Sequence, residues 1–217
     1  MSADTRGIAR NMARATALLA GFAVLGAGLV AITERNTRER IAANERAFTL
    51  RSLNEIVPPE QRDNDMFNDT TRVTDPELLG TPDPVTVYRA RRNGNPVAAI
   101  LRVVAPDGYS GPIRLLVGVR SDGEVAGVRV VAHRETPGLG DAIESERSDW
   151  ILGFTGRSLG DPPEAAWTVR RDGGAFDQFT GATITPPAVP PPPRHAFLYF
   201  RAHREELFAP SGEETER

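Results

Sequence analysis

Between Phe176 and Pro193 the chain reads FDQFTGATITPPAVPPPP, with Thr180 and Thr183 on either side of Gly181 and Ala182, and Asp177 just ahead. Gly181 and Ala182 carry almost no side chain, so the Thr183 hydroxyl is reachable by a modifying enzyme, and nearby backbone N–H groups can help to hold a phosphate. Small neighbours make a hydroxyl accessible; they do not make it reactive. No His-Asp pair stands in the sequence to turn Thr180, Thr183 or Thr185 into a nucleophile, so attachment by another enzyme is easier to defend than self-catalysis. The plain alternative is a turn, which Thr, Gly and Pro also favour.

A second stretch, HRETPGLGD from His133 to Asp141, directly follows a predicted strand. Pro137-Gly138 and Gly140 are turn signals, and a plain loop is the simple reading. Glu135 and Thr136 nevertheless bring polar groups, and Gly138 and Gly140 an open backbone, around one apolar residue, Leu139. A flat heteroaromatic ligand asks that of a loop: close backbone approach, a few hydrogen bonds and one contact face.

Composition removes competing chemistries. The chain has no cysteine, which excludes disulfides, thiolate metal sites, cysteine-ligated iron–sulfur clusters and a cysteine nucleophile. Redox work therefore requires an organic cofactor or a metal held without thiolate. His133, His195 and His203 show no metal-ligand spacing. A net charge of −3 with a quarter of the residues charged gives no sign of a nucleic-acid surface. No Walker loop occurs, and no Gly-x-Gly-x-x-Gly joins a strand to a helix, which argues against a Rossmann domain.

The elements that must position these motifs begin with an anchor. Ala15 to Thr33 is free of charge over 19 residues. At 1.5 Å per residue such a helix nearly spans a hydrocarbon core of about 30 Å, and it exceeds the roughly 7–15 apolar residues of a cleaved signal peptide. Arg6, Arg10 and Arg14 precede it while Arg35, Arg38 and Arg40 follow, so charge counting alone does not set the orientation. A short N-terminal tail is easily retained in the cytoplasm, which leaves the large domain outside.

Beyond the anchor, Ile41, Phe48, Leu53, Ile56 and Val57 fall at near-helical spacing until Pro58-Pro59, and Glu60 to Pro84 is expected to be an irregular connection. PVTVYRARR, NPVAAILRVVAP and GPIRLLVGVRSDGEVAGVRVVAH predict an antiparallel sheet of at least four strands, the last pair joined at Ser121-Asp122-Gly123. DAIESERSDWILGFTG reads as helical or turn-like with Trp150, Ile151 and Phe154 buried, and AWTVRR reads as one more strand. RHAFLYFRAHREELFA predicts a closing helix packed through Phe197, Leu198, Phe200 and Leu207, followed by a charged tail. The order defines an α+β protein without β-α-β alternation or internal repeats.

DQFTGATITPPAV resembles the flavinylation motif Asp-x-x-(Ser/Thr)-Gly-Ala-Thr of proteins that carry FMN through a phosphodiester bond to the last threonine, and ETPGLGD resembles their isoalloxazine-facing loop. Both stand in that family's order behind a single N-terminal membrane helix. The chain is thus similar to the G component of the Rnf electron transport complex and, more distantly, to the C component of the sodium-translocating NADH:quinone reductase. The resemblance implies a tail at 1–14, a transmembrane helix at 15–33, a helix and irregular connection at 34–84, an FMN-binding domain at 85–208 and a disordered tail at 209–217. It implies covalent FMN on Thr183, with Asp177, Thr180, Gly181 and Ala182 as the recognition motif of a flavin transferase and Glu135, Thr136, Gly138 and Leu139 as the flavin-contacting loop. It further implies a single-pass protein of the bacterial inner membrane with its flavin domain in the periplasm. There it relays electrons among other membrane subunits of an assembly that couples ferredoxin and NAD to ion movement. Two other readings stand beside it: a membrane-tethered extracytoplasmic binding or scaffold domain without flavin, and a stand-alone flavinylated reductase. The chain departs from the family at PPAVPPPP, where relatives carry a basic, helix-compatible run; four prolines from Pro190 predict a final helix that starts near His195.

Overall fold

The computed structural model describes residues 2–209. Two compact units are present, Met1–Ala47 and Phe48–Arg217. Helix α1 (Ser2–Ile56) supplies the first and contributes its last residues, from Phe48, to the second. Its apolar stretch is unburied, with Leu18, Leu19, Phe22 and Leu25 each about two-thirds exposed or more, and it is long and apolar enough to cross a membrane. Ile41 is exposed, whereas Leu53, Ile56 and Val57 are buried in the second unit, and the helix ends just before Pro58-Pro59.

The second unit is built on a five-stranded antiparallel meander in the order β1-β2-β3-β4-β5. β2 (Val85–Arg92), β3 (Asn95–Ala105), β4 (Ile113–Arg120) and β5 (Val125–Ala132) form where their Val-, Ile- and Leu-rich runs are interrupted by turn residues. Asn93 and Gly94 both have positive φ, 51° and 76°, and close the β2–β3 hairpin as a primed turn. Gly123, at φ 92°, turns β4 into β5.

Both faces of the sheet are covered. On one, Leu101, Val103, Leu115 and Val117 pack with Phe154, Trp167, Phe197 and Phe200 from the later part of the chain. On the other, Ile100, Leu116 and Tyr88 pack with Leu53, Ile56 and Val57 at the end of α1. That is why β3 and β4 read as nearly continuous apolar runs rather than alternating ones. Gly118 and Gly127 face each other across β4 and β5, and a Cβ on Gly118 would lie 2.3 Å from Ile56 Cγ2. The missing side chains make the hollow that receives Ile56.

Three expectations are corrected. Between Glu60 and Pro84 the chain forms an edge strand, β1 (Thr70–Val73), and a short helix, α2 (Pro76–Leu79), rather than an irregular connection. Asp75 caps α2 by accepting from the N–H groups of Glu77 and Leu78 at 3.1 and 2.9 Å. AWTVRR is no strand: 3-10 turns at Glu164–Ala166 and Arg170–Asp172 bracket it, and its backbone is satisfied within the loop, as in Arg170 N–H to Phe176 O at 2.7 Å. The closing helix α4 (Pro191–Phe208) begins among the prolines, preceded by the short helix α3 (Thr185–Ala188), and not near His195. The first four N–H groups of a helix have no partner within it, so Pro191, Pro192 and Pro193 forfeit no helical hydrogen bond there. Along α4, Ala196, Phe197, Tyr199, Phe200 and Leu207 are buried while Leu198 is half-buried. Ile151 and Phe154 are buried as expected, and Trp150 is half-buried. The charged tail expected from residue 211 lies outside the described residues.

Candidate functional site

The segment carrying Thr183 is held by an aromatic cluster at one end. Phe176 stacks on Phe154 at 4.2 Å between centroids, and Phe179 meets Trp150 edge-on at 5.1 Å. The Trp150 indole donates to the carbonyl oxygen of Asp177 at 2.8 Å. The Asp177 carboxylate itself points outward, paired with Arg170 at 2.8 Å, both side chains being largely exposed. A tight turn follows, in which the Ala182 N–H reaches the Phe179 carbonyl and Gly181 adopts φ 86°, a left-handed conformation suited to glycine. Ala182 is buried, whereas Thr180, Thr183 and Ile184 are exposed.

The loop from His133 to Asp141 lies against this segment. A Cβ placed on Gly181 would stand 3.0 Å from Leu139 Cδ2, so Gly181 is where the two loops touch. Thr136, Gly138 and Leu139 are exposed, with Gly138 at φ 78°. Glu135 is not: it is buried, and its carboxylate accepts from the Thr185 hydroxyl through Oε2 and from the Ser110 N–H through Oε1 at 3.0 Å. At the root of the loop, His133 Nδ1 accepts from the Glu135 N–H at 3.0 Å, which places the proton of a neutral ring on Nε2, 2.7 Å from Glu144 Oε1.

Thr183 also lines a cleft of about 540 Å³. Val104, Ile184, Pro187 and Pro191 give it apolar walls, and Glu77, Asp107 and Asp172 outnumber Arg171 among its charges. His195 completes the lining; burial, and after it the neighbouring Arg194, holds its pKa below the ordinary imidazole value, with Glu77 acting in the opposite sense. The volume falls in the range of about 300–1,000 Å³ usual for cofactor pockets. Among the described residues no group of three or more His, Cys, Asp and Glu is arranged to hold a metal.

The structure thus gathers Asp177, Thr180, Gly181, Ala182 and Thr183 on one loop and brings Leu139 to Gly181, while Glu135 is turned inward, away from the exposed residues of its own loop. Sequence reasoning did not single out Ser110 or Gly108, it assigned His195 no role in a site, and it considered Thr185 only as a nucleophile. The one sequence signal for Thr185 was its position two residues past Thr183; PDGYSG around Gly108 and Ser110 reads as an ordinary turn.

A cofactor-sized cleft on a sheet, in a chain whose N-terminal helix is long and apolar enough to cross a membrane, fits the class of membrane-associated cofactor-binding proteins. The family model described as the FMN-binding domain matches residues 108–190, which include Glu135 and Thr183, and that of the RnfG N-terminal region matches residues 1–56. The chain is 50% identical over 97% of its length, and 97% of the relative's, to the G component of the ion-translocating oxidoreductase complex of Pseudomonas aeruginosa strain UCBPP-PA14. It is 46% identical to the proteins of the same name from Pseudoalteromonas atlantica, over 90% of this chain and 91% of the relative, and Vibrio cholerae, over 88% and 90%. The chain belongs to the family of G components of ion-translocating oxidoreductase complexes, and its globular unit contains that family's FMN-binding domain.

Proposed function

We propose that this chain is the membrane-anchored electron carrier of an Rnf-type ion-translocating complex and holds FMN through a phosphodiester bond to Thr183. The observation that carries the reading is the position of Thr183: exposed, close to a left-handed glycine, and in the lining of the cleft. The residues present fit FMN. Gly181 gives the turn before the attachment point its left-handed backbone, and the apolar walls at Val104, Ile184, Pro187 and Pro191 suit a flat ring. Bound FMN supplies electron transfer one electron at a time, which the side chains of this protein lack. The protein's part is to hold and tune. Apolar walls keep water from part of the site, and the acidic excess of Glu77, Asp107 and Asp172 disfavours added negative charge within it, which lowers the potential of a group held there.

On this reading the Asp177 to Thr183 loop is the surface offered to a flavin transferase, and other membrane subunits of the assembly are the electron partners. We place the flavin domain on the periplasmic side of the inner membrane, an orientation that the arginines flanking the helix on both sides do not decide. The accessibility of the domain to protease added to intact spheroplasts tests it. Co-expression with a flavin transferase tests the attachment. Intact mass should rise by one FMN less one water, the denatured band should fluoresce under ultraviolet light, and Thr183→Ala should lose both. A dark, unmodified wild-type chain made beside an active transferase sinks the covalent reading.

A further inference from the structure

We infer that Glu135 and Thr185 form a buried clasp that positions the Thr183 hydroxyl for flavin transfer; the inference rests on the function proposed above. Neither residue need touch the flavin. Glu135 is 4% exposed and Thr185 is 2% exposed, and the hydroxyl of one donates to the carboxylate of the other. The second carboxylate oxygen accepts the Ser110 N–H. Among the described residues no Arg, Lys or His forms an ion pair with Glu135. A desolvated carboxylate with one hydroxyl and one N–H for partners is a poor way to gain stability, because an apolar pair of the same shape avoids the desolvation altogether. Its presence calls for another role.

The surroundings are shaped to this carboxylate. A Cβ on Gly140 would lie 2.8 Å from Glu135 Cβ and 2.9 Å from the Thr185 hydroxyl oxygen, and one on Gly108 would lie 3.0 Å from Glu135 Oε1. Two loops therefore close around Glu135, and the third segment they enclose is the acceptor. Thr185 is two residues after Thr183 and opens α3. Two residues before Thr183, Gly181 abuts Leu139. The same loop, from Glu135 to Gly140, thus grips the acceptor segment on both sides of Thr183, and His133 fixes the root of that loop through its bonds to the Glu135 N–H and Glu144. With Thr185 drawn inward, Thr183 and Ile184 are left facing out.

In the transfer the Thr183 oxygen forms a bond to the flavin-side phosphorus of a flavin dinucleotide donor. The pyrophosphate bond breaks, a nucleoside monophosphate leaves, and the hydroxyl proton passes to the transferase or to solvent. A displacement at phosphorus depends steeply on the placement of the attacking oxygen, so loosening the clasp slows it.

The test measures the rate of flavinylation of the full-length chain by intact mass, with purified transferase and donor, below the melting temperature of every variant. Thr185→Val should slow modification by at least about tenfold, while Thr185→Ser, which keeps the hydroxyl, should stay within about threefold of wild type. Glu135→Gln keeps an acceptor for Ser110 and a partner for Thr185 and should behave like Thr185→Ser. The double variant Glu135→Leu, Thr185→Val removes both polar partners together, which spares the fold an unpaired buried group. It should melt near wild type yet be modified slowly. Wild-type modification rates in that double variant, or in a folded Thr185→Val, overturn the clasp. A wild-type chain that is never modified overturns the underlying function instead, and the two failures are told apart by that control.

Discussion

Asp69→Ala offers a sharp test of what holds the closing helix in place. Asp69 Oδ1 accepts from Arg89 Nε at 2.5 Å, and Oδ2 accepts from Arg91 Nε at 3.0 Å and from the Asn64 amide at 2.9 Å. The same two arginines reach the end of α4: Arg89 donates to the Ala209 carbonyl at 2.8 Å and Arg91 to the Phe208 carbonyl at 2.9 Å, with Arg91 also over the Phe208 ring. Cations at a helix C-terminus complement its dipole, and Asp69 holds both of them there. The Arg89 side chain is only 3% exposed, so removing Asp69 takes the carboxylate away from a buried guanidinium. Breaking a buried pair in this way costs about 3–5 kcal/mol, and the 21% exposure of Asp69, which lets water in, argues for the lower end. For a unit of this size about 3 kcal/mol lowers Tm by roughly 6–12 °C. Near-ultraviolet circular dichroism of the full chain in detergent, which follows Trp150 and Trp167, measures it. A fall of less than about 2 °C would refute the premise that Asp69 neutralises a buried charge.

Other positions give further expectations. Gly118→Ala forces a methyl group into the space of Ile56 Cγ2, 2.3 Å away, and should destabilise the second unit by about 1–3 kcal/mol in urea unfolding; Gly127→Ala, whose Cβ meets the same side chain at 3.5 Å, should cost less. The depressed pKa of His195 has a definite sign: above its ordinary value of 6.5 neither folded nor unfolded chain is charged there, and below it the unfolded chain takes the proton first. Stability from this group is therefore present at neutral pH and lost on acidification down to the folded pKa, and His195→Gln should flatten the stability profile just below pH 6.5. Asp177→Ala removes only an exposed ion pair and should change stability by about 1 kcal/mol or less while lowering the flavinylation rate; a large loss of stability contradicts the outward role given to Asp177.

What was legible in the sequence divides by the range of the forces involved. β2 to β5 could be read because each is set by its own β-branched run and by turn residues that sit between neighbours. β1 could not: Thr70–Val73 is short, only partly buried, and exists because β2 offers an open edge. The prolines misled for a different reason. Their penalty inside a helix is real, but Pro191 to Pro193 occupy the one turn where no N–H is needed, and that follows from where the helix begins rather than from the residues themselves. The exposure of Thr183 was legible because it depends on immediate neighbours, Gly181 and Ala182. Glu135 shows the converse. Nothing near it in the chain says whether its carboxylate faces solvent or core; that is decided by Ser110, 25 residues before it, and Thr185, 50 residues after it. A motif can therefore point to the hydroxyl that a cofactor would use while concealing the contact that holds it there. That contact is where a substitution can separate loss of attachment from loss of fold.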